Sequence, residues 1–556
     1  MGRAAPACLL AALGLALLVF TSAPARAAPV ARAAPVPHAA AAGQTRPAAA
    51  RAAQSRFYAG GPASIQQVQY PNGVERLHYR YGPIFVTPGS NLIVVGQKSL
   101  PKPAENGYMV GLVPNLVYRN GKVPPTDVLH LHHGVWLNTG ASDITSGSIP
   151  YERFFATGEE KTQLHLPAPY GYPVHAEDTW LLNYMIHNLT TRNYTVFLSY
   201  EVDFVPQFSP LGQTLRPVRP IWMDIQNGEA YPVFNALQGS GSNGAYTYPD
   251  QDPDAYGSAA PKNQWTVDRP GTLVWGAGHL HPGGLYDDLD LIRAGASIAS
   301  QPPGQPQPQA GAEPSSVRLL RSSAHYWDRR GPVSWDLAMS ATDPGWRVGV
   351  RPGDVLRVST TYDTRKASWY EGMGIMVLWM ADDASGANPF TTALNTIGEI
   401  THGRLAENVD SGGATSIGLP DPRKLPNGRH ARRNTIDIKN FSYLNGGYGD
   451  PGRLGDPTTV KRGQSLKFVN DDNTKQIFHT ITACRAPCML NGGISYPLAN
   501  GPIGFDSGQL GTGTPGFTAA ANRIVWKTPS NLPAGTYTYF CRIHPFMRGT
   551  FRVVSQ

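Results

Sequence analysis

Between Tyr194 and Val205 the apolar residues Val196, Leu198, Tyr200, Val202 and Phe204 fall on every second position. That is the period of a strand with one buried face, and it excludes an amphipathic helix over the same span. Short β-branched and aromatic runs bounded by Gly, Pro, Asn or Asp recur along the 556 residues, while apolar residues at helical spacing are scarce. The 60 Gly and 50 Pro supply the turns that such strands need and argue against coiled coils and long helices. Single cores stop growing at roughly 250–300 residues, so the expectation is an all-β chain of several sandwiches.

The formal net charge of +8 is unevenly placed. Residues 1–56 hold six Arg and no Lys, Asp or Glu, so most of the excess lies there and the remainder is close to neutral. Without a basic stripe interleaved with aromatics, nothing supports a nucleic-acid partner. Arg3 precedes an apolar run from Cys8 to Phe20, and Ala25-Arg26-Ala27 follows. This is the layout of a secretory signal over residues 1–27, too short for a membrane span. Cys8 opens the run, so it does not read as a lipid-anchor cysteine. The expected location is secreted or a periplasmic-type exported space, with no membrane span elsewhere.

Residues 28–56 are Ala-, Pro- and Arg-rich without apolar periodicity, which predicts disorder. Gln301–Pro314 reads as a flexible surface loop. A Gly-, Pro-, Asn- and Arg-rich stretch over 386–433 reads as a linker, ahead of a strand-rich module at 434–556. If Cys8 leaves with the signal, Cys484, Cys488 and Cys541 remain. An oxidising compartment permits a Cys484–Cys488 disulfide and leaves Cys541 as an odd thiol, free or occupied by a metal.

A metal is the reading its neighbours favour. Cys541, His544 and Met547 sit in Tyr539-Phe540-Cys541-Arg542-Ile543-His544-Pro545-Phe546-Met547-Arg548-Gly549, and His479 follows the strand-like Leu466–Asn470. One thiolate, two imidazoles and a thioether suit copper cycling between Cu(I) and Cu(II). Structural zinc sites are typically richer in Cys. This module resembles the cupredoxins, and its short ligand loop resembles that of amicyanin. The resemblance implies a Greek-key β-sandwich with one type 1 copper held by His479, Cys541, His544 and Met547. Multicopper oxidases and copper nitrite reductases place a His beside the blue-copper Cys. Here the neighbours are Phe540 and Arg542, so a single-electron relay is expected.

Upstream, histidines cluster at His130, His132 and His133, at His187, and at His279 and His281. His279 and His281 point to one face of a strand and can chelate one metal. His132 and His133 need a local twist or bulge to share one. Met373 and Met376 lie in an apolar run. In this order the motifs resemble the copper type II ascorbate-dependent monooxygenases, the peptidylglycine α-hydroxylating and dopamine β-monooxygenases. That family carries an HH pair and a distant His on one β-domain, then H-x-H and a distant Met on the next.

The resemblance implies two jelly-roll-like sandwiches, at 57–210 and 211–385, and two further coppers. His132, His133 and His187 would hold an electron-storing copper, with His130 or His175 as substitutes. His279, His281 and Met373 would hold an O2-binding, catalytic copper, with Met376 as the substitute for Met373. Leu166–Tyr172 and Trp180–Asn183 also resemble the plant stress-up-regulated Nod19 proteins. Two positions depart from the peptide-hydroxylating members: Ala277 stands where an Arg grips the substrate carboxylate, and Val377 where a Tyr is expected. Peptide amidation is therefore not expected. The function that follows is O2-dependent C–H hydroxylation of an unknown organic substrate, driven by an external donor (small reductant or redox protein). The alternatives are a non-catalytic copper-binding or electron-transfer protein, or a scaffold with one electron-transfer module.

Overall fold

The alternating run at Tyr194 forms the middle of its sheet. Strand Tyr194–Pro206 lies antiparallel to both Glu75–Val86 and Gly107–Tyr118, with Val196, Leu198, Tyr200, Val202 and Phe204 buried and the residues between them half-exposed. The computed structural model describes residues 56–57, 64–69, 73–96, 99–126, 128–293, 316–327, 332, 335–365, 368–407, 434–444, 458–485, 505–512, 523–544 and 547–555. These are all-β. Among them the helical pieces are short 3-10 turns such as Gly212–Thr214 and Asp471–Lys475, and no helix is long and apolar enough to cross a membrane.

Two layers position the upstream histidines. A four-stranded sheet runs in the order Ile93–Val94, Trp180–Asn188, Leu129–Asn138, Glu152–Gly158. Below it, Gly271–His279 pairs antiparallel with Ile375–Ala381, which also pairs with Arg216–Asp224. Every residue of Gly271–His279 and Ile375–Ala381 is buried, as expected of strands covered on both faces. Val274, Trp275, Ala277 and Trp379 pack into the core formed by Trp136, Phe155, Trp180 and Leu182. The regions 57–210 and 211–385 therefore share apolar contacts. Ala277 and Val377 face each other across the strands and are both buried core residues.

The C-terminal module has a four-stranded and a five-stranded sheet. The first holds Thr435–Lys439, Ser442–Tyr443, Lys467–Asn470 and Val525–Lys527; the second holds Thr458–Lys461, Thr482–Arg485, Phe505–Asp506, Gly535–Phe540 and Arg548–Val554. Ile436, Phe468, Ile481, Tyr539 and Phe551 fill the space between them. Period-2 alternation then sends Phe540 the other way, into the core of the preceding region with Trp369 and Tyr362.

The expected linker begins as packed chain. Glu399–Ile400 pairs with Ser340–Ala341, Phe390 carries the Arg293 guanidinium 4.4 Å from its ring centre, and Glu407 pairs with Lys161. The signal segment, residues 28–55, the Gln301–Pro314 loop and the Cys484–Cys488 link lie outside the described residues.

Candidate metal centres

At the C-terminus the loop after Gly535–Phe540 brings Cys541, His544 and Met547 under His479. Cys541 Sγ lies 3.9 Å from His479 Nδ1 and 3.8 Å from His544 Nδ1, and the two nitrogens are 3.3 Å apart. A circle through these three atoms has a radius of about 2.1 Å, within the roughly 2.0–2.3 Å of metal–nitrogen and metal–sulfur bonds. All four expected ligands are buried. The loop is braced by amides of Thr480 and His544, each donating to the sulfur at 3.3 Å. Cys541 N donates to Met547 O at 3.1 Å, and Met547 N to His544 O at 2.8 Å.

The far nitrogen of His479 donates to Asp472 at 3.2 Å, and Asp472 also accepts from the amides of Asn440 and Phe441. Such an outer carboxylate fixes the ring so that Nδ1 presents its lone pair. Burial would raise the Cys541 thiol, but the His479 and His544 imidazoles beside it outweigh burial and hold the thiol well below its usual value. The sulfur is poised as a thiolate ligand.

Upstream, the histidines expected in two separate sites meet in one place. The ring of His132 lies 3.9 Å from that of His187 and 4.0 Å from that of His281, centre to centre. Ligand atoms of His130, His132 and His187 lie within 4.8 Å of one another, and so do those of His132, His133 and His281. His279 is adjacent, 5.3 Å from His281. Among the expected ligands, His132 thus belongs with both halves, and His130 joins the cluster. His175 is exposed on a turn and stands apart.

A one-residue bulge makes this possible. Along Leu129–Asn138, His133 sits opposite Met185, but Leu131 sits opposite Ile186 and His130 opposite His187. His132 is the extra residue, and the bulge re-aims it so that His130, His132 and His133 are all buried together. The neighbouring strand must come very close. A Cβ on Gly158 would stand 2.2 Å from His132 O and 2.7 Å from the His279 ring, so glycine is needed there.

Four rings have Nδ1 tied back. His130 donates to Thr126 O at 2.7 Å, His281 to Glu371 O at 2.7 Å, His132 to Glu159 at 3.0 Å and His279 to Glu160 at 3.0 Å. Among the described residues, the buried Nε2 atoms of His130, His279 and His281, and Nδ1 of His133 and His187, have no hydrogen-bond partner. So many orphaned buried nitrogens in one cluster are costly unless something occupies them, and outer-carboxylate imidazoles are the usual ligand arrangement of metals.

Burial lowers His130 to about 4, and burial with His279 lowers His133 to about 3. Burial and neighbouring imidazoles hold His132, His187 and His281 well below the usual value. At neutral pH these five rings offer lone pairs. Burial, helped by Glu160, also pushes Glu159 well up.

Met373 sits beside this cluster, with its amide and carbonyl bonded to the Tyr362 hydroxyl that also accepts from His281 N. Its side chain packs among Trp222, Tyr231 and Val377, whereas Met376 belongs to the core below. Met185, which the sequence did not flag, lines the cavity with His132, His187 and His281. So do Thr480, Gln509, Arg542 and Ile543 of the C-terminal module. The cavity measures about 50 Å³; a water occupies roughly 10–15 Å³, so it admits a few water-sized molecules.

A continuous path of covalent and hydrogen bonds joins the two candidate centres. Arg542, next to Cys541, donates to Ser368 O, and three residues on, Glu371 O accepts from His281. On the other side, a Cβ on Gly89 would lie 3.1 Å from His544 Nε2.

No family model matches the sequence, and no curated protein matches it. Among solved structures the chain is similar to a vicilin from Solanum melongena, with TM-score 0.12 and 9% identity over 60% of this chain and 83% of that one. At that score the likeness carries no argument.

Proposed function

We propose that this is an exported multicopper redox enzyme that uses O2. His479, Cys541, His544 and Met547 hold a type 1 copper on a cupredoxin module. The buried upstream histidines hold the copper that meets O2. The carrying observation is the cavity wall, which joins His132, His187 and His281 to Thr480, Arg542 and Ile543 of the module that bears Cys541. Copper would supply one-electron chemistry at the sulfur site and O2 binding at the imidazole site.

The chain's own residues set the conditions for this. Asp472, Glu159, Glu160, Thr126 and the Glu371 carbonyl orient the rings. Thr480, Gln509, Arg542 and Ile543 of the C-terminal module wall the cavity beside His132 and His281. Arg542 fixes the loop of Cys541 against the segment that carries Glu371. The electrons come from an external one-electron donor, a small reductant or a redox protein.

A second reading is C–H hydroxylation of an organic substrate, with His279, His281 and Met373 as the catalytic ligands. It is favoured by the chain order of the histidine motifs and the closeness of Met373 to His281. Metal analysis with electron paramagnetic resonance tests the proposal: three or more coppers per chain, one of them type 1, and O2 uptake on adding reductant are expected. A single copper per chain, or a Cys541→Ser protein consuming O2 at the full rate with its natural donor, would sink it.

A further inference from the structure

We infer that the six upstream histidines hold one polynuclear copper centre shared by both halves of that region, not two mononuclear sites. The identity of the ion rests on the function proposed above; the nuclearity rests on the following geometry.

The two groups of ligand atoms share His132, and one imidazole nitrogen binds one ion terminally. Assigning His132 to either group leaves the other group's ligands still within 4.8 Å of it, so two ions placed there are close neighbours in one cluster. Six imidazoles exceed the three or four that one ion takes and match two ions with three each. The orphaned nitrogens come from both halves: His130, His133 and His187 on one, His279 and His281 on the other.

Buried acidic side chains point the same way. Glu159 and Glu160 are adjacent, 1% and 0% exposed, and each backs a histidine from a different half. One carboxyl group thus stands behind a candidate ligand of each half. Paired metals in enzymes commonly stand roughly 3.5–4 Å apart with a small oxygen ligand between them. The cavity, about 50 Å³ and walled on one side by Thr480, Gln509, Arg542 and Ile543, has room for such a ligand. A ligand of this size, such as O2, water or hydroxide, fits the space.

The test uses the full-length Cys541→Ser protein, which removes the type 1 signal and keeps the upstream residues. After oxidation with copper(II), two coppers per chain with a nearly silent paramagnetic resonance spectrum are expected, because a bridged pair of Cu(II) ions couples its spins. Two coppers giving two full spins would overturn the polynuclear centre and leave the copper function standing. One copper per chain would overturn the shared centre as well. Uptake of none would overturn both the centre and the reading beneath it. A His279→Gln protein provides a second check: it should retain one copper and regain a normal spectrum, and persistence of the silent pair would count against the assignment.

Discussion

The Arg542 guanidinium lies 4.8 Å from the centre of the Trp369 ring, so the residue after Cys541 is seated on the strand that leads to Glu371. Its Nη1 also pairs with Asp506 at 2.7 Å, with both side chains about 5% exposed. Removing one partner of a buried pair strands the other charge and typically costs about 3–5 kcal/mol. Arg542→Ala should destabilise the protein by about that amount, and Arg542→Lys by less, because the planar fork is lost while the charge stays. Urea denaturation of the metal-free protein measures both. An unchanged midpoint for the alanine protein would remove Arg542 from the joint.

Gly89 has φ +63°, and a Cβ there would stand 2.6 Å from the Phe441 ring as well as against His544. Gly89→Ala combines backbone strain with a clash, and a loss of about 1–3 kcal/mol is expected. Because the clash presses on a ligand ring, the sulfur-to-copper absorption band of the loaded protein should shift too. A stability loss with an unmoved band would confine the effect to the backbone.

Glu160 accepts from both Gly158 N and His279. Glu160→Gln should weaken upstream copper binding by roughly 10–100-fold and leave the C-terminal site unaffected. Asp472→Asn should do the reverse. Competition with a chelator, following total copper and the blue absorption separately, distinguishes the two. Equal losses at both sites in either protein would show that the carboxylates act on folding and not on their own rings.

His130 and His133 are held at about 4 and about 3 by burial, below the roughly 6.5 of an unfolded histidine. Above pH 6.5 both states are neutral there. As pH falls below 6.5 the unfolded chain gains protons that the folded one refuses, so stability is lost toward pH 4 and below. Melting of the metal-free protein should fall across this window. A midpoint that rises between pH 6.5 and 4 would contradict the buried neutral rings.

The C-terminal site was legible in the sequence because three of its ligands lie within seven residues of one loop, where spacing alone limits what they can reach. The all-β class was legible from period-2 runs such as Val196 to Phe204. The upstream grouping was not. Which histidines meet depends on a bulge at His132 and on two sheets facing each other, and neither leaves a mark in local spacing. Glu159 and Glu160 look like a solvated turn until Gly158 brings them under His132 and His279. Arg542 was read only for the His it replaces, since its carbonyl partner at Ser368 is 174 positions away.

The bulge at His132 encodes the histidine cluster by counting as much as by chemistry. With the extra residue in place, the strand changes phase between Leu131 and His133, and neighbours that would face opposite ways face together. Replacing any one of these histidines subtracts one ligand. Deleting Leu131 would put the strand back in phase and turn over the residues on one side of the deletion, although every histidine would still stand in the sequence. For chains related to this one, an alignment gap at that spot would signal loss of the cluster more surely than a substitution would.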